Sequence, residues 1–529
     1  MKQYGKIVLT LSREVPDDLE KKFSDLVNKL NEKLAKGVKQ KELSAKIVGY
    51  DVEDKKLSFK VESRIISIRD AALRIKNTLQ PIFGKFRIGI RDIEVKDGVI
   101  VIEGIHKVSL KLPFVEKTEI CESQTKIFLR TLDERELKKP ILERLLKLLQ
   151  EKEARQAWHG KAESKYIIRE SKQKIEKPTK RDYDKLLEEI GWIKWFSQGQ
   201  WFYTPPYAYL LKMIQEIFIE EVLKPLDFEE AIFPKMYPVE VGLKTGHLKG
   251  TINSILFVSF PISYDIAKFE EFIDYISVFK EVKPEMLKDY LEHPKNFLCF
   301  AQCEPFYQFL EKEIFNDKDL PIKWFDRSGP SFRWEAGGLK GTERLIEFHR
   351  IEVVWLGLPE QVVEIRNQLL EKYEKFMDKA LDMEWRWALV MPWYLEHAGV
   401  AKEIEKEIDK PGTIDFEAWL PYKGGRKDEK SWLEVGNISI HGNKFTSSFK
   451  IKSSRGAELW TGCSGFGSER WLLAFIAQHG LDPSNWPNKI KSYLKKIKFP
   501  KSLVTPTYPK EKGKEELREL ITKFQQIAK

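Results

Sequence analysis

A chain of 529 residues with four cysteines, Cys121, Cys299, Cys303 and Cys463, has too few to build a disulfide framework. That scarcity suits a reducing cytosol, where a thiol serves in packing or in metal binding. No apolar run approaches 18 residues, and no hydrophobic segment follows the first charges, so neither a membrane span nor a secretory leader is expected. A Walker-type phosphate loop is missing, and no Ser/His/Asp nucleophile arrangement can be assembled. Histidines number eight, of which His106, His159, His247, His293, His441 and His479 show no convincing partners. Internal repeats and low-complexity segments are lacking too.

What is present is globular. The 32 Phe and 15 Trp suffice for sizeable cores, and the length suits two or three domains. The net charge of +10 is uneven: +11 over residues 1–190, −8 over 191–480 and +7 over 481–529. Basic flanks on an acidic body fit either a solvated lysine surface or a nucleic-acid arm attached to a catalytic body.

Residues 1–155 alternate short strands with amphipathic helices. Lys6–Thr10, Ile47–Val52 and Leu57–Val61 read as strands. Pro16–Leu34 and Ile68–Leu79 read as helices, the second ended by Pro81. Further strands follow from Phe86 to Leu129, and Asp133 reads as the N-cap of a helix to about Ala154. This is the pattern of a small α+β domain. Residues 156–185 differ, with eight basic and three acidic residues between Lys161 and Arg181, the composition of a basic linker. Residues 186–529 read as one large domain, with a helix–turn–helix insert near 263–293 and a basic C-terminal tail from Lys489.

Three segments carry chemistry. Ala301–Glu304 supplies Cys303. The run from Phe332 to Trp355 supplies Arg333, Glu335, Arg344, Phe348, Arg350 and Glu352. Alternate side chains of a strand share a face, so Arg333 goes with Glu335, and Arg344 with Phe348, Arg350 and Glu352. Leu345, His349, Ile351, Val353 and Trp355 take the other parity, suited to burial. Gly337, Gly338 and Gly341 mark a flexible turn between the two strands. Such a hairpin offers guanidinium groups to phosphate oxygens and a ring for a base to stack on, although a salt-bridged hairpin has the same pattern. The third segment, Gly462–Arg470, supplies Cys463, the glycines Gly465 and Gly467, and Ser468 placed to cap a helix that stops at Gly480. Arg470 then stands in a first helical turn, where the dipole favours anions. A lone cysteine is more often a small buried apolar residue. Two cysteines and a glutamate, however, suit an open zinc site, and an unpaired Glu352 would be costly to bury.

Taken together, the second and third segments closely resemble motifs 2 and 3 of the class II aminoacyl-tRNA synthetases. Leu226–Pro234 resembles motif 1, and all three stand in the family's order over roughly residues 190–485. The resemblance implies an α+β fold whose catalytic domain is an antiparallel sheet flanked by helices. By it, Arg333 would hold the α-phosphate and the amino-acid carboxylate, and Glu335 would read the adenine amino group or the substrate amine. Arg344 and Arg470 would grip the outer phosphates, Phe348 would stack under adenine, and Glu434 would hold Mg²⁺ with ATP.

The Cys303, Glu352 and Cys463 set, with a basic N-terminal α+β domain, resembles the atypical seryl-tRNA synthetase of methanogenic archaea, in which one zinc per subunit binds the serine amino group. Threonyl-tRNA synthetases share the plan with one cysteine and two histidines. The resemblance places Trp393, Asn437, Ser439, Arg350 and His397 about the amino acid and leaves Cys299 structural. It implies a cytoplasmic homodimer acting on L-serine, ATP and tRNA(Ser), with tRNA(Sec) a further candidate partner and residues 1–155 as the tRNA-binding domain. Two alternatives stand beside it: a ligase charging a small amino acid onto a carrier protein, and a non-catalytic tRNA-binding paralogue.

Overall fold

The computed structural model describes the chain except residues 39, 104–109, 111, 122, 158–164, 176–180, 335–337, 391–409, 497–510 and 529. Two compact units result, Met1–Ala162 and Glu163–Lys529.

The first unit contains β1 (Lys2–Leu11), α1 (Phe23–Ala35), β2 (Lys46–Glu53), β3 (Lys56–Ser63), α2 (Ile68–Lys85), β4 (Ile90–Glu103), β5 (Val115–Ile120), β6 (Gln124–Leu129) and α3 (Ile141–Ala157). Its antiparallel sheet has the order β2–β3–β1–β4–β6–β5. Ile7, Leu9 and Leu11 alternate along β1 and meet the apolar stripes of the helices, Leu26 and Leu30 of α1 and Ile75, Leu79 and Phe83 of α2, in one core. Two expectations are corrected here. Pro81 does not end its helix, because α2 continues through it to Lys85. A proline inside a helix costs about 3 kcal/mol or more, and the complete burial of Leu79 and Phe83 on either side offsets that cost. Asp133 does cap a helix, with a full capping box to Glu136, but that helix stops at Leu137. Pro140 disfavours helical backbone at the residue before it, and α3 starts afresh at Ile141.

The second unit contains β7 (Lys165–Glu170), α4 (Tyr183–Glu189), β8 (Ile193–Ser197), β9 (Gln200–Tyr203), α5 (Pro205–Phe218), β10 (Glu229–Glu230), α6 (Glu270–Phe279), α7 (Pro284–Lys288), α8 (Glu304–Phe309), β11 (Ile322–Asp326), β12 (Pro330–Phe332), β13 (Glu347–Gly357), α9 (Pro359–Lys375), β14 (Trp385–Val390), β15 (Gly412–Trp419), β16 (Trp432–Gly442), β17 (Trp460–Gly467), α10 (Ser468–His479) and α11 (Glu511–Ala528). The large sheet runs β10–β11–β13–β17–β16–β15–β14–β7, with β12 also against β13. Within this sheet, among the described residues, only β10 and β11 pair in parallel. Helices α5, α9 and α10 cover one face, where Phe218, Tyr373, Phe376, Phe466 and Trp471 interlock. Helices α6 and α7 form the insert, and none of their residues is buried.

The segment read as a linker is not wholly one. Its β7 pairs with β14 at the sheet edge, and Lys165 forms an ion pair with the buried Glu417. The basic tail is likewise structural in part. Leu517, Leu520 and Phe524 of α11 enter the main core, with the Phe524 ring 5.9 Å from Trp192 and 5.4 Å from Trp486.

Candidate active site

The site is a product of sheet register. Strand β13 sets Arg350 opposite Gly467, Glu352 opposite Gly465 and Val354 opposite Cys463. Strand β17 in turn sets Gly465 opposite Asn437 and Cys463 opposite Ser439, and Thr413 of β15 lies opposite Ser439. Because successive side chains alternate in direction, these residues share the face away from α9 and α10. Ile351, Val353, Ile438 and Phe466 take the other parity and enter the core. Gly465 is required by packing: a Cβ there would lie 2.0 Å from Arg350 Nη2. Its absence lets the guanidinium lie across the strand.

Two adjoining cavities open on this face. A cleft is lined by Arg333, Glu343, Phe348, Glu434, Glu469 and Arg470. A second cavity of about 250 Å³ is lined by Cys303, Glu352, Cys463, Thr413, Ser439 and His441. Arg333, Arg350, Glu434 and Asn437 line both. The Arg333 amide donates to the Ile346 carbonyl at 2.8 Å, and its guanidinium stacks 4.6 Å from the Phe300 ring centroid. Arg470 donates from Nε to the Glu343 carbonyl at 2.8 Å and from Nη1 to the Glu434 carbonyl at 3.1 Å. Ser439 Oγ and Thr413 Oγ1 share a hydrogen bond of 2.7 Å.

Cys303 comes from the N-cap of α8, Glu352 from the middle of β13 and Cys463 from the middle of β17. Their ligand atoms lie within 4.8 Å of one another, and all three residues are buried. Neither Glu352 carboxylate oxygen accepts a hydrogen bond, although Oε2 is 2.6 Å from Arg350 Nε. The adjacent Cys463 thiol and burial push the Cys303 thiol well above its usual range. Burial pushes the Glu352 carboxyl up, and Arg350 opposes this. Three buried acids side by side ionise together only beside a cation. The spacing and donor set fit zinc, whose ligands stand about 2.0–2.3 Å from a shared centre.

Not every expected residue joins these walls. Glu335, Trp393 and His397 lie outside the described residues. Arg344 is exposed in a short bridge with Lys340 and lines neither cavity. Cys299 is buried near Ser331 Oγ, at 4.0 Å, and burial pushes its thiol up to about 12.

Sequence reasoning missed other residues. His441 has partners after all: Nε2 lies 3.5 Å from Cys463 Sγ and Nδ1 lies 3.1 Å from Thr461 Oγ1. Burial pushes its imidazole down to about 3. Its parity, shared with Asn437 and Ser439, was the available signal. His247 Nδ1 is 2.6 Å from the buried Glu304, and His479 Nε2 is 2.8 Å from the Leu381 carbonyl. Glu469 binds the amide of His349 at 3.0 Å and its Nδ1 at 2.7 Å.

An antiparallel sheet with this arginine-lined cleft, and a glycine-ended strand running into an arginine-bearing helix, defines a class II aminoacyl-tRNA synthetase core. Residues 293–479 match the tRNA synthetase class II core domain (G, H, P, S and T), and residues 1–151 match a tRNA-binding domain. The type-2 serine–tRNA ligase of Methanococcoides burtonii is 41% identical over 84% of this chain and 88% of its own length. That of Methanocaldococcus jannaschii is 36% identical over 95% and 97%. The crystal structure of Methanopyrus kandleri SerRS, solved in complex with A. aeolicus tRNASec, aligns with a TM-score of 0.76 at 32% identity, covering 96% of this chain and 99% of that one. The chain belongs to the type-2 serine–tRNA ligases.

Proposed function

We propose that this ligase forms seryl-adenylate in the two joined cavities, with the serine amine held at a zinc ion bound by Cys303, Glu352 and Cys463. The observation that carries the reading is the shared wall. Arg333 borders both cavities, so one guanidinium reaches an α-phosphate on one side and an amino-acid carboxylate on the other. Zinc on three protein ligands would supply an open coordination position for the amine.

The chain's own residues do the rest. Phe348 offers its ring to adenine, Arg470 contacts the outer phosphates and Glu434 would hold Mg²⁺. A serine carboxylate oxygen bonds to the α-phosphorus as the bond to the bridging oxygen breaks, and pyrophosphate leaves with that electron pair. The carboxylate is already ionised, so positioning and charge stabilisation supply the catalysis. A tRNA ribose hydroxyl then attacks the acyl carbon, and AMP departs. Asn437, Ser439, Thr413 and Arg350 face the amino-acid end. The serine hydroxyl would make hydrogen bonds here that alanine cannot, a stronger basis for rejection than lost apolar contact. Glu335, Trp393 and His397 keep the roles their resemblance gives them, and Arg344 is left with outer phosphate contact on ATP entry.

Residues 1–155 serve as the tRNA-binding domain, for tRNA(Ser) and, as a further candidate, tRNA(Sec). A match to a tRNA-binding domain favours tRNA over a carrier protein as acceptor. The motif 1 region leaves Ile232 82% exposed and α8 leaves Phe309 68% exposed beside an apolar groove lined by Phe233, Phe306 and Trp324, a surface suited to a homodimer. Four free cysteines fit the reducing cytoplasm, and among the described residues no helix is long and apolar enough to cross a membrane. The test is ATP–pyrophosphate exchange with serine, threonine and alanine, before and after a zinc chelator. Exchange that depends on serine and is lost with the metal is expected; exchange indifferent to chelation would refute the zinc assignment.

A further inference from the structure

Asp184 has no place in the chemistry above, yet it meets the ATP cleft from behind. It lies in the first turn of α4, and both its oxygens face the turn between the motif 2 strands. Oδ1 accepts from Thr342 Oγ1 at 2.7 Å and Oδ2 accepts from the Thr342 amide at 3.0 Å. Gly341 has φ +45°, and a Cβ on it would lie 1.9 Å from Asp184 Oδ2. The turn is therefore shaped to admit this carboxylate. Its other tether comes from β9, where Trp201 Nε1 donates to the Gly341 carbonyl at 3.1 Å.

The next residue leads into the site. The Glu343 carbonyl accepts from Arg470 Nε at 2.8 Å, while its carboxylate takes hydrogen bonds from Tyr422, at 2.8 Å, and from Lys423. Thr342, Glu343 and Arg470 all line the ATP cleft. The Arg470 guanidinium is thus oriented by two main-chain carbonyls, Glu343 on the motif 2 side and Glu434 on β16. Only the Glu343 carbonyl belongs to a turn, and a turn holds position only as well as its anchors do.

We infer that Asp184 is a positioning residue for ATP, fixing the Thr342–Glu343 turn so that the Glu343 carbonyl aims Arg470 at the phosphates. The inference rests on the reading of Arg470 as a phosphate contact. Burial pushes the Asp184 carboxyl up to about 6, so this anchor is kept despite a desolvation cost.

The test is pyrophosphate exchange by the full-length, metal-loaded enzyme carrying Asp184→Ala, Asp184→Asn, Thr342→Ala, Arg470→Ala or the Asp184→Ala/Thr342→Ala pair. Asp184→Ala is expected to raise the KM for ATP about tenfold or more and leave the KM for serine within about twofold. Asp184→Asn keeps one acceptor and should fall between wild type and Asp184→Ala. The double variant should lose little more than Asp184→Ala alone, because the two residues act through one contact. A general loss of structure would raise both KM values and lower the melting temperature; that outcome, or an unchanged KM for ATP beside a raised one in Arg470→Ala, overturns the inference. An unchanged KM for ATP in Arg470→Ala would instead overturn the phosphate role of Arg470 itself.

Discussion

Replacing Arg350 by methionine probes the charge balance at the centre of the site. The Arg350 side chain is 13% exposed and sits 2.6 Å from the fully buried Glu352. Methionine keeps much of the aliphatic length and removes the guanidinium alone. In zinc-stripped protein this leaves a buried carboxylate without its counter-charge, a loss of about 3–5 kcal/mol. With zinc bound as proposed, the carboxylate charge would be met at the metal, and the loss falls toward that of one charge-assisted contact, about 1.5–3 kcal/mol. The variant should therefore gain about 2 kcal/mol more from zinc than wild type does, which is about 30-fold tighter zinc binding. The sign is notable, since a mutation inside the site strengthens metal binding because it removes a nearby positive charge. Urea unfolding with and without chelator measures the first quantity, and competition with a chromophoric chelator measures the second. Fourteen of the 15 tryptophans, all but Trp158, lie in the second unit, so intrinsic fluorescence follows the relevant core. Equal destabilisation in both metal states, with zinc affinity unchanged or lower, would refute the placement of the ion against Glu352.

Gly465→Ala drives a methyl group into Arg350 and should cost about 1–3 kcal/mol by overpacking, with serine-dependent exchange lost. Gly425→Ala, where nothing lies within 4 Å, should stay within about 0.5 kcal/mol; thermal melts compare the two. Cys303→Ser and Cys463→Ser should each lower zinc content measured by mass spectrometry, while Cys299→Ser keeps it. Asp184 gives a pH signature. Burial raises its carboxyl from 3.8 to about 6, so the stability it contributes is full below about pH 4 and is lost as pH climbs through 6. Since the residue keeps a partly solvated side, the loss is at most about 3 kcal/mol. Asp184→Asn should remove that slope from urea unfolding measured between pH 4 and 7, and an identical slope would refute it. Phe524→Ala should cost about 3–5 kcal/mol, because α11 belongs to the main core.

Much of the site was legible because strands have a fixed side-chain period. Arg350 and Glu352 stand two apart, as do Asn437, Ser439 and His441, and each set lands on one sheet face. His441 was passed over because its partner, Cys463, stands on a different strand, and sequence separation hides such register. The anchor contributed by Asp184 was equally invisible, since a helix outside the motifs brings it in. The errors in local structure have the opposite origin. Pro81 and Asp133 gave correct local signals, but tertiary burial overrode the first and Pro140 interrupted the helix begun by the second. Strand β7 was hidden because a short edge strand, mostly exposed and ended by charged residues, lacks the apolar alternation by which a buried strand is read.

Strand β13 also explains how one fold would hold the proposed ATP site and the proposed metal site in fixed relation. Phe348 and Glu352 share a face and are four residues apart, about 13 Å at the rise of a strand. Arg350 stands between them, on the wall common to both cavities. On the proposed reading, the distance from the base-stacking ring to the carboxylate at the amine end would thus be set by backbone geometry rather than by mobile side chains. A register slip of one residue would turn all three side chains into the core, and a slip of two would move Glu352 out of line with Gly465 and away from Cys463. Gly465 adds a steric condition, because Arg350 fits across β17 only where that strand has no side chain. The proposed metal ligand Glu352, Arg350 at the amino-acid end and the Phe348 ring are therefore coupled through one hydrogen-bonded register, and none of them moves without the others.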